Sequence, residues 1–265
     1  MSENIDTSFA EFSLATDPRG LWVAEDNNLI VGYGFSWLCG DLWFLADLFV
    51  HPKWQSKGVG RALMDKTRGQ ADVSGAKIQA LITFSYNRAS LGLYMSQGLY
   101  PRVPLYGISI SRANLSSSKL KPALNYKRLD NNVDAATLGQ IDRSVLGLSR
   151  AFYHRYAAGD ASVSGFLLND ANGRPAGYAY ISKSGHIGPL AVASADLIEP
   201  AFRTAVALAV GQGSDKISVF IPGMADDLMR IAVELRMRLG RPMVLLSSKA
   251  FGDWTRYSPR SPGYM

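Results

Sequence analysis

The sequence predicts an α/β fold in which one order of elements runs twice, and three observations carry that prediction. Strand-like apolar runs alternate with amphipathic helical segments along the whole chain. Turn chemistry at Asp26-Asn27-Asn28 and at Asn169-Asp170-Ala171-Asn172-Gly173 joins strands into hairpins at matching places in the two runs. A serine-rich stretch, Ser111–Lys121, closed by Pro122, lies between them. The length, 265 residues, suits one large domain or two of about 130 residues each.

Each element has a local reason. Asp17-Pro18-Arg19-Gly20 closes a short helix expected over Asn4–Ala15. Leu21–Glu25 and Leu29–Trp37 read as a hairpin. Leu42–Val50 is an apolar and aromatic strand that His51-Pro52 ends, because proline cannot continue a central ladder. A helix follows over Val59–Val73, then a strand over Lys77–Phe84. The next helix, Ala89–Gln97, is stopped by Gly98, and a strand covers Leu105–Ser111. The second run begins with a strand over Ala123–Leu129 and helices over Asp134–Leu146 and Arg150–Ala158. Strands over Val163–Leu168, Ala176–Ser182 and His186–Val192 come next. It ends with a helix over Ala195–Gly211, a strand over Lys216–Ile221, a helix over Asp226–Leu239 and a strand over Met243–Ser247. The runs share pattern, not residue identity. The first has less chain ahead of its hairpin and reads as lacking an opening strand and helix.

Composition narrows the function classes. The net charge of +6 favours anions in general. No dense Lys/Arg run or aromatic-and-basic stripe accompanies it, which argues against nucleic acid as partner. The single cysteine, Cys39, has no nucleophile signature and reads as a structural thiol; one cysteine permits no internal disulfide, as in a reducing compartment. No apolar stretch is long enough to span a membrane, and the polar start Met1-Ser2-Glu3-Asn4 is unlike a secretory leader. The expectation is a cytoplasmic protein with no membrane partner and no metal, for which a homodimer stays open.

The chemistry concentrates in Gln55-Ser56-Lys57-Gly58-Val59-Gly60-Arg61, which joins a strand end to a helix start. The first turn of a helix offers unpaired N–H groups and a partial positive charge, which together favour a phosphate. Gly58 and Gly60 remove Cβ atoms where backbone would approach oxyanions, and Lys57 and Arg61 add charge. Neither a G-x-x-x-x-G-K-[ST] loop nor a G-x-G-x-x-G turn opening a helix is present. Alone, such a glycine pair is more often explained by packing than by a ligand.

Context sharpens it. Val50-His51-Pro52-Lys53-Trp54-Gln55-Ser56-Lys57-Gly58-Val59-Gly60-Arg61-Ala62-Leu63-Met64 resembles the acetyl-CoA signature of the Gcn5-related N-acetyltransferase (GNAT) superfamily, [Q/R]-x-x-G-x-[G/A]. Asn87-Arg88-Ala89-Ser90-Leu91-Gly92-Leu93-Tyr94-Met95-Ser96-Gln97-Gly98-Leu99 resembles the family's N-x-x-[A/S]-x-x-x-Y-x-x-x-G-[F/L] segment at the expected distance. The resemblance covers about Gly20–Ser111. It implies an α/β fold of two tandem GNAT-like domains, residues 1–115 and 122–265, each a mixed, mostly antiparallel twisted sheet flanked by helices. It also implies that the backbone of Leu48, Phe49 and Val50 pairs with a pantetheine arm, that Gln55, Ser56, Lys57, Gly58, Val59, Gly60 and Arg61 hold the pyrophosphate, and that Asn87 contacts the arm. Tyr94 would protonate the departing thiolate, which a phenol within hydrogen-bond reach can do. Read alone, Tyr94 is a core aromatic and Asn87 a helix cap.

Direct attack by an amine requires loss of a proton. Asp47, just ahead of the loop, is a candidate base or an anchor for a cationic acceptor, and equally a structural carboxylate. Glu25, Asp41 and His51 are weaker candidates. In the second run the corresponding loop, Ala193-Ser194-Ala195-Asp196, has neither glycine pair nor basic residue, so coenzyme A is not expected there. This half resembles a degenerate GNAT domain through Asp142-Arg143-x-x-x-Gly147-x-x-Arg150. Asp142, Arg150 and His154 read as acceptor-pocket residues or as ordinary helix-surface and packing residues. Trp254, Tyr257 and Tyr264 in the tail read as cover for an apolar groove or as an anchor for the terminus. The functional expectation is an acetyltransferase that uses acetyl-CoA and an unidentified primary amine; a non-catalytic acyl-CoA sensor is the alternative.

Overall fold

The computed structural model describes residues 7–115 and 121–265. The start of the helix expected over Asn4–Ala15 and the middle of the expected linker lie outside those residues. The first run comprises α1 (Ser8–Thr16), β1 (Leu21–Asp26), β2 (Leu29–Cys39), β3 (Leu42–Val50), α2 (Val59–Ser74), β4 (Ile78–Phe84), α3 (Arg88–Ser96) and β5 (Tyr100–Ser111). The second comprises β6 (Asn125–Arg128), α4 (Asn131–Leu146), α5 (Ala151–Gly159), β7 (Val163–Asn169), β8 (Pro175–Ser182), β9 (His186–Val192), α6 (Ile198–Gly211), β10 (Lys216–Pro222), α7 (Asp226–Glu234) and β11 (Arg238–Ser247). A last short strand, β12 (Tyr257–Ser258), lies in the tail. Thus α1 alone precedes the first hairpin among the described residues, where the second run has β6, α4 and α5.

The two halves are mixed and mostly antiparallel, and they join edge to edge. The strand order is β1-β2-β3-β4-β11-β5-β10-β9-β8-β7-β6, with β12 paired to β9. The join exchanges strands: β11 from the second run sits between β4 and β5, and β5 from the first sits between β11 and β10. Side-chain alternation sorts the layers. Leu246 of β11 and Leu45 and Leu81 pack with Met64, Ala71 and Tyr94 of the α2–α3 layer. Ile108, Ile110 and Ile217 meet α6 and α7 on the same side. Met243, Leu245, Val103 and Leu105 face the other way, towards α4, α5, α1 and the tail.

Three boundaries differ most from expectation. The helix expected to reach Leu239 ends at Glu234, because Arg236 takes a left-handed backbone (φ 58°) and breaks the periodicity. The final long strand therefore begins at Arg238 rather than Met243. β5 begins at Tyr100, well before Leu105, despite Pro101 and Pro104. Over that stretch only β11 pairs with it, since β10 joins at Leu105, so each proline lies where one side of the strand lacks a ladder.

The functional geometry follows from where parallel strands part. β3 pairs with β4 from Leu42↔Ile78 to Leu45↔Leu81 and then leaves it. The register with β2 slips at the same level, Phe35↔Asp47 being followed by Ser36↔Leu45, so Ala46 is an extra residue, a bulge that bends β3 away. Among the described residues no strand pairs with the β4-facing edge of Ala46–Val50. β9 and β10 part in the same manner after Ser218↔His186 and Val219↔Ile187. Their gap is filled. β12 pairs with β9 at Tyr257↔Ala191 and Ser258↔Leu190, and the Ser258 hydroxyl donates to the Phe220 carbonyl of β10.

Candidate functional site

The first gap leads directly to the glycine loop. His51 ends β3, and its Nδ1 accepts from Lys53 N, capping a short 3-10 turn over Pro52–Trp54. That assigns His51 a structural role. Gln55 folds back so that Nε2 donates to the Val50 carbonyl (3.0 Å), and Trp54 Nε1 donates to Asp26 Oδ2 (2.9 Å), fixing the loop to the β1–β2 hairpin. Ser56 and Gly58 have left-handed backbones (φ 60° and 85°). For Gly58 that conformation is the reason for glycine, since nothing packs within 4 Å of where a Cβ would stand. At Gly60 a Cβ would meet only ordinary contacts with Leu93 and Val50, at 3.6 Å. Packing within the protein therefore demands neither glycine.

α2 begins at Val59 with Gly58 as N-cap and no side chain capping it. Its first-turn N–H groups have no side-chain cap, and Lys57 and Arg61, on either side of that start in the chain, are exposed. Arg61 Nη2 reaches Ser96 Oγ (3.2 Å), which ties α2 to α3. A strand edge without a strand partner, an uncapped helix start and two exposed cations thus follow one another between Ala46 and Arg61. Together they suit a ligand with an amide-bearing arm and a polyanionic head.

Asn87 caps α3, its Oδ1 accepting from Ser90 N (3.2 Å), so the cap reading of this residue holds. Tyr94, on the same helix, is only 6% exposed and packs with Trp43, Leu45 and Met64. Burial, against a hydrogen bond with the Ser90 side chain, pushes its phenol up to about 12, with Asp47 adding to the rise. At neutral pH it is a permanent donor. Burial likewise pushes the Asp47 carboxyl above its ordinary range, although its side chain still reaches solvent. Tyr33, on β2, feels the Asp47 charge as well. The bulge at Ala46 thus places a carboxylate and a phenol within electrostatic reach of each other at the level where the strands part. Leu48 and Val50 are half-buried and Phe49 is 50% exposed. Asp41 pairs with Lys77 on the surface and Glu25 lies exposed in β1.

The second half holds a different set. Asp142, Arg150 and His154 are buried, which corrects the helix-surface reading. His154 Nε2 donates to Asp142 Oδ2 (2.9 Å), the Tyr178 hydroxyl donates to Oδ1 (2.6 Å), and Arg150 Nη1 donates to the Tyr178 hydroxyl (3.2 Å). The Arg150 guanidinium lies over the rings of Tyr153 and Tyr257, at 4.6 and 5.4 Å. Burial holds His154 below its ordinary value against the pull of Asp142, so the ring is neutral and accepts from Tyr180 through Nδ1. Burial opposes ionisation of Asp142, but the hydrogen bond from His154 and the neighbouring Arg150 outweigh it and hold the carboxyl below its ordinary range. This network clamps α4 and α5 to β8 and the tail. Tyr257 and Trp254 are core residues, and Tyr264 stacks on Phe9 (4.3 Å), so the tail both fills a groove and anchors the terminus. Cys39 is buried and donates to the Ser149 carbonyl. Sequence reasoning missed Tyr33, the bulge and the plug formed by β12.

A family profile described as an acetyltransferase (GNAT) domain matches residues 17–98, a span that includes the glycine loop, Asp47, Asn87 and Tyr94. No curated protein matches the chain. Among solved structures, a candidate acetyltransferase from Pyrococcus horikoshii superposes with a TM-score of 0.74 at 18% identity, covering 97% of this chain and 84% of that one. A GCN5-related N-acetyltransferase from Sphaerobacter thermophilus gives 0.62 at 12% identity, with 86% and 80% covered. A tandem GNAT protein from the clavulanic acid biosynthesis pathway gives 0.59 at 14% identity, with 92% and 87% covered. At these identities the likeness is one of fold.

Proposed function

Since residues 17–98 form a GNAT acetyltransferase domain within a chain that has the tandem-GNAT fold, we propose that the protein moves an acetyl group from acetyl-CoA to a primary amine by direct attack. The observation that carries this reading is the unpaired edge of β3 followed, after one short turn and the glycine loop, by the uncapped start of α2. On this reading the backbone of Leu48, Phe49 and Val50 pairs with the pantetheine amides as a further strand would. The amides of Gln55–Arg61 take the pyrophosphate, Lys57 and Arg61 balance its charge, and Asn87 borders the arm. Residues 1–115 carry the thioester, and 122–265 close the opposite face of the sheet.

The amine nitrogen attacks the thioester carbon and the carbon–sulfur bond breaks. Asp47 takes the proton that the amine sheds. A carboxyl raised by burial is a better base than an ordinary one, and it works once pH exceeds its shifted value. Tyr94 donates its O–H to the departing thiolate. Its raised pKa keeps the proton in place until sulfur carries charge. Release of free thiol from acetyl-CoA with a panel of amines tests the reading. Tyr94→Phe should lower turnover far more than it lowers CoA affinity, and undiminished turnover would remove Tyr94 from the mechanism. A non-catalytic acyl-CoA sensor, which the deep burial of Tyr94 favours, requires CoA binding with no thiol release from any amine.

A further inference from the structure

On the α4–α5 side of the sheet, β4, β5, β10 and β11 surround a hollow of about 340 Å³. Its floor includes Phe84, Gly107, Phe220 and Met243, and its walls carry Lys216 and Arg241. Arg241 lies over the Phe84 ring at 5.8 Å. A third cation belongs to the same neighbourhood. His186, which lines the hollow, donates from Nε2 to the Arg260 carbonyl (2.6 Å) and accepts at Nδ1 from the Ser218 hydroxyl (2.9 Å). Burial, with Arg260 and Lys216 bearing on it, lowers His186 to about 3, so the ring is neutral.

The cations have no counter-charge. Among the described residues, Lys216, Arg241 and Arg260 have no carboxylate within ion-pair distance, whereas Arg19, Arg203, Arg230 and Arg256 all do. Arg260 Nη1 is buried with no hydrogen-bond partner. A buried guanidinium N–H without an acceptor is costly, and a concave surface of one sign raises the local concentration of the opposite one. The hollow also adjoins the gap. Phe84 is its floor and the last residue of β4, and lies about 10 Å along the strand past Leu81, where β3 parts company.

We propose that this hollow takes the anionic end of the acceptor, so that the substrate is an amine that also carries a carboxylate or phosphate. Lys216 and Arg241 are its specificity-determining residues; His186 is a positioning residue that holds the Arg260 segment against the hollow. The inference rests on the reading that the gap between β3 and β4 delivers the acetyl group.

Thiol release is measured with matched acceptors: a dipeptide against its C-terminal amide, and an amino sugar against its phosphate. The same acceptors are titrated by calorimetry onto the CoA-loaded protein. An anionic member should exceed its neutral partner by about tenfold or more in kcat/KM, as a charge-assisted hydrogen bond warrants. Arg241→Gln and Lys216→Gln, both at exposed positions, should each raise KM and Kd for the anionic member about tenfold while kcat changes less than about threefold. The preferred pair, dipeptide or sugar phosphate, identifies the anion. Equal use and equal binding of neutral and anionic members, or no response to either substitution, overturns the inference. Absence of CoA binding overturns the acetyltransferase reading instead, and calorimetry of the anionic acceptors still reports on the hollow.

Discussion

β3 and β4 part just past Leu45, and β9 and β10 part just past Ile187, yet the first pair leaves its gap open and the second closes it with Tyr257 and Ser258. An unpaired strand edge must find partners for its N–H and C=O groups. In the second half the chain's own tail supplies them, sealed by Tyr257 at 0% exposure and by a bond from Ser258 to Phe220. In the first half the edge of Ala46–Val50 faces a loop whose glycines serve no internal packing. One architecture therefore supports two arrangements: an edge satisfied from within is structural, and an edge left without a strand partner is the proposed site. The loops agree. Gly58 and Gly60 with Lys57 and Arg61 follow β3, whereas the Ser194 hydroxyl donates to the Asp196 carboxylate after β9.

The sharpest test is Tyr94→Phe, which should cut turnover by about 10²–10⁴-fold with CoA affinity kept, as loss of a general acid does. Next, Tyr257→Ala should cost about 3–5 kcal/mol in chemical denaturation, as for a buried aromatic. Calorimetry on that variant should still find one CoA per chain; two would mean that the plug alone separates the halves. Gly58→Val forces a β-branched residue into a left-handed backbone and should raise the CoA Kd about tenfold. Asp47→Asn should remove an acid limb of kcat/KM lying above the ordinary carboxylate range, because ionisation of the raised carboxyl switches the base on as pH rises. The smallest effect concerns a clasp in the first half. Hydrogen bonds from Arg19 hold Asp17 down to about 2, with help from Gln70. A depressed carboxyl stabilises the fold above its unfolded value and loses that effect as pH falls from about 4 to 2. Asp17→Asn should therefore cost about 1–2 kcal/mol at neutral pH and flatten the acid limb of the unfolding curve.

Much of the first half was legible. β3 matches its expected span because Pro52 fixes one end, and α2 starts at Val59 because Gly58 precedes it. The tail was not, since a two-residue strand in a proline-rich segment has no period to read. β11 begins earlier than expected because the helix before it was carried through to Leu239, and the strand runs across Gly240 and Pro242. Their cost is absorbed where the β5 register slips between Leu239 and Pro242. Arg150 and His154 sit on a short helix whose polar residues look solvent-facing; only the tertiary contact with Tyr178 and Tyr180 reveals them as buried. Pairwise motifs identified the loop and α3, but the hollow beside Phe84 draws on β4, β10 and β11, which no local pattern unites.

The exchange of β5 and β11 bears on how the chain acquires its shape. Ser85 donates to the carbonyl of Pro242 across 157 residues of sequence, and β4 has β11 as its neighbour on that side. During synthesis the amino-terminal half emerges with β4 unpartnered on that flank, and it stays so until β11 has left the ribosome. Contacts of such long range slow folding and leave nascent strands open to misassociation. Completion of the proposed acetyl-CoA cleft, whose far wall is β4, thus waits on the arrival of β11.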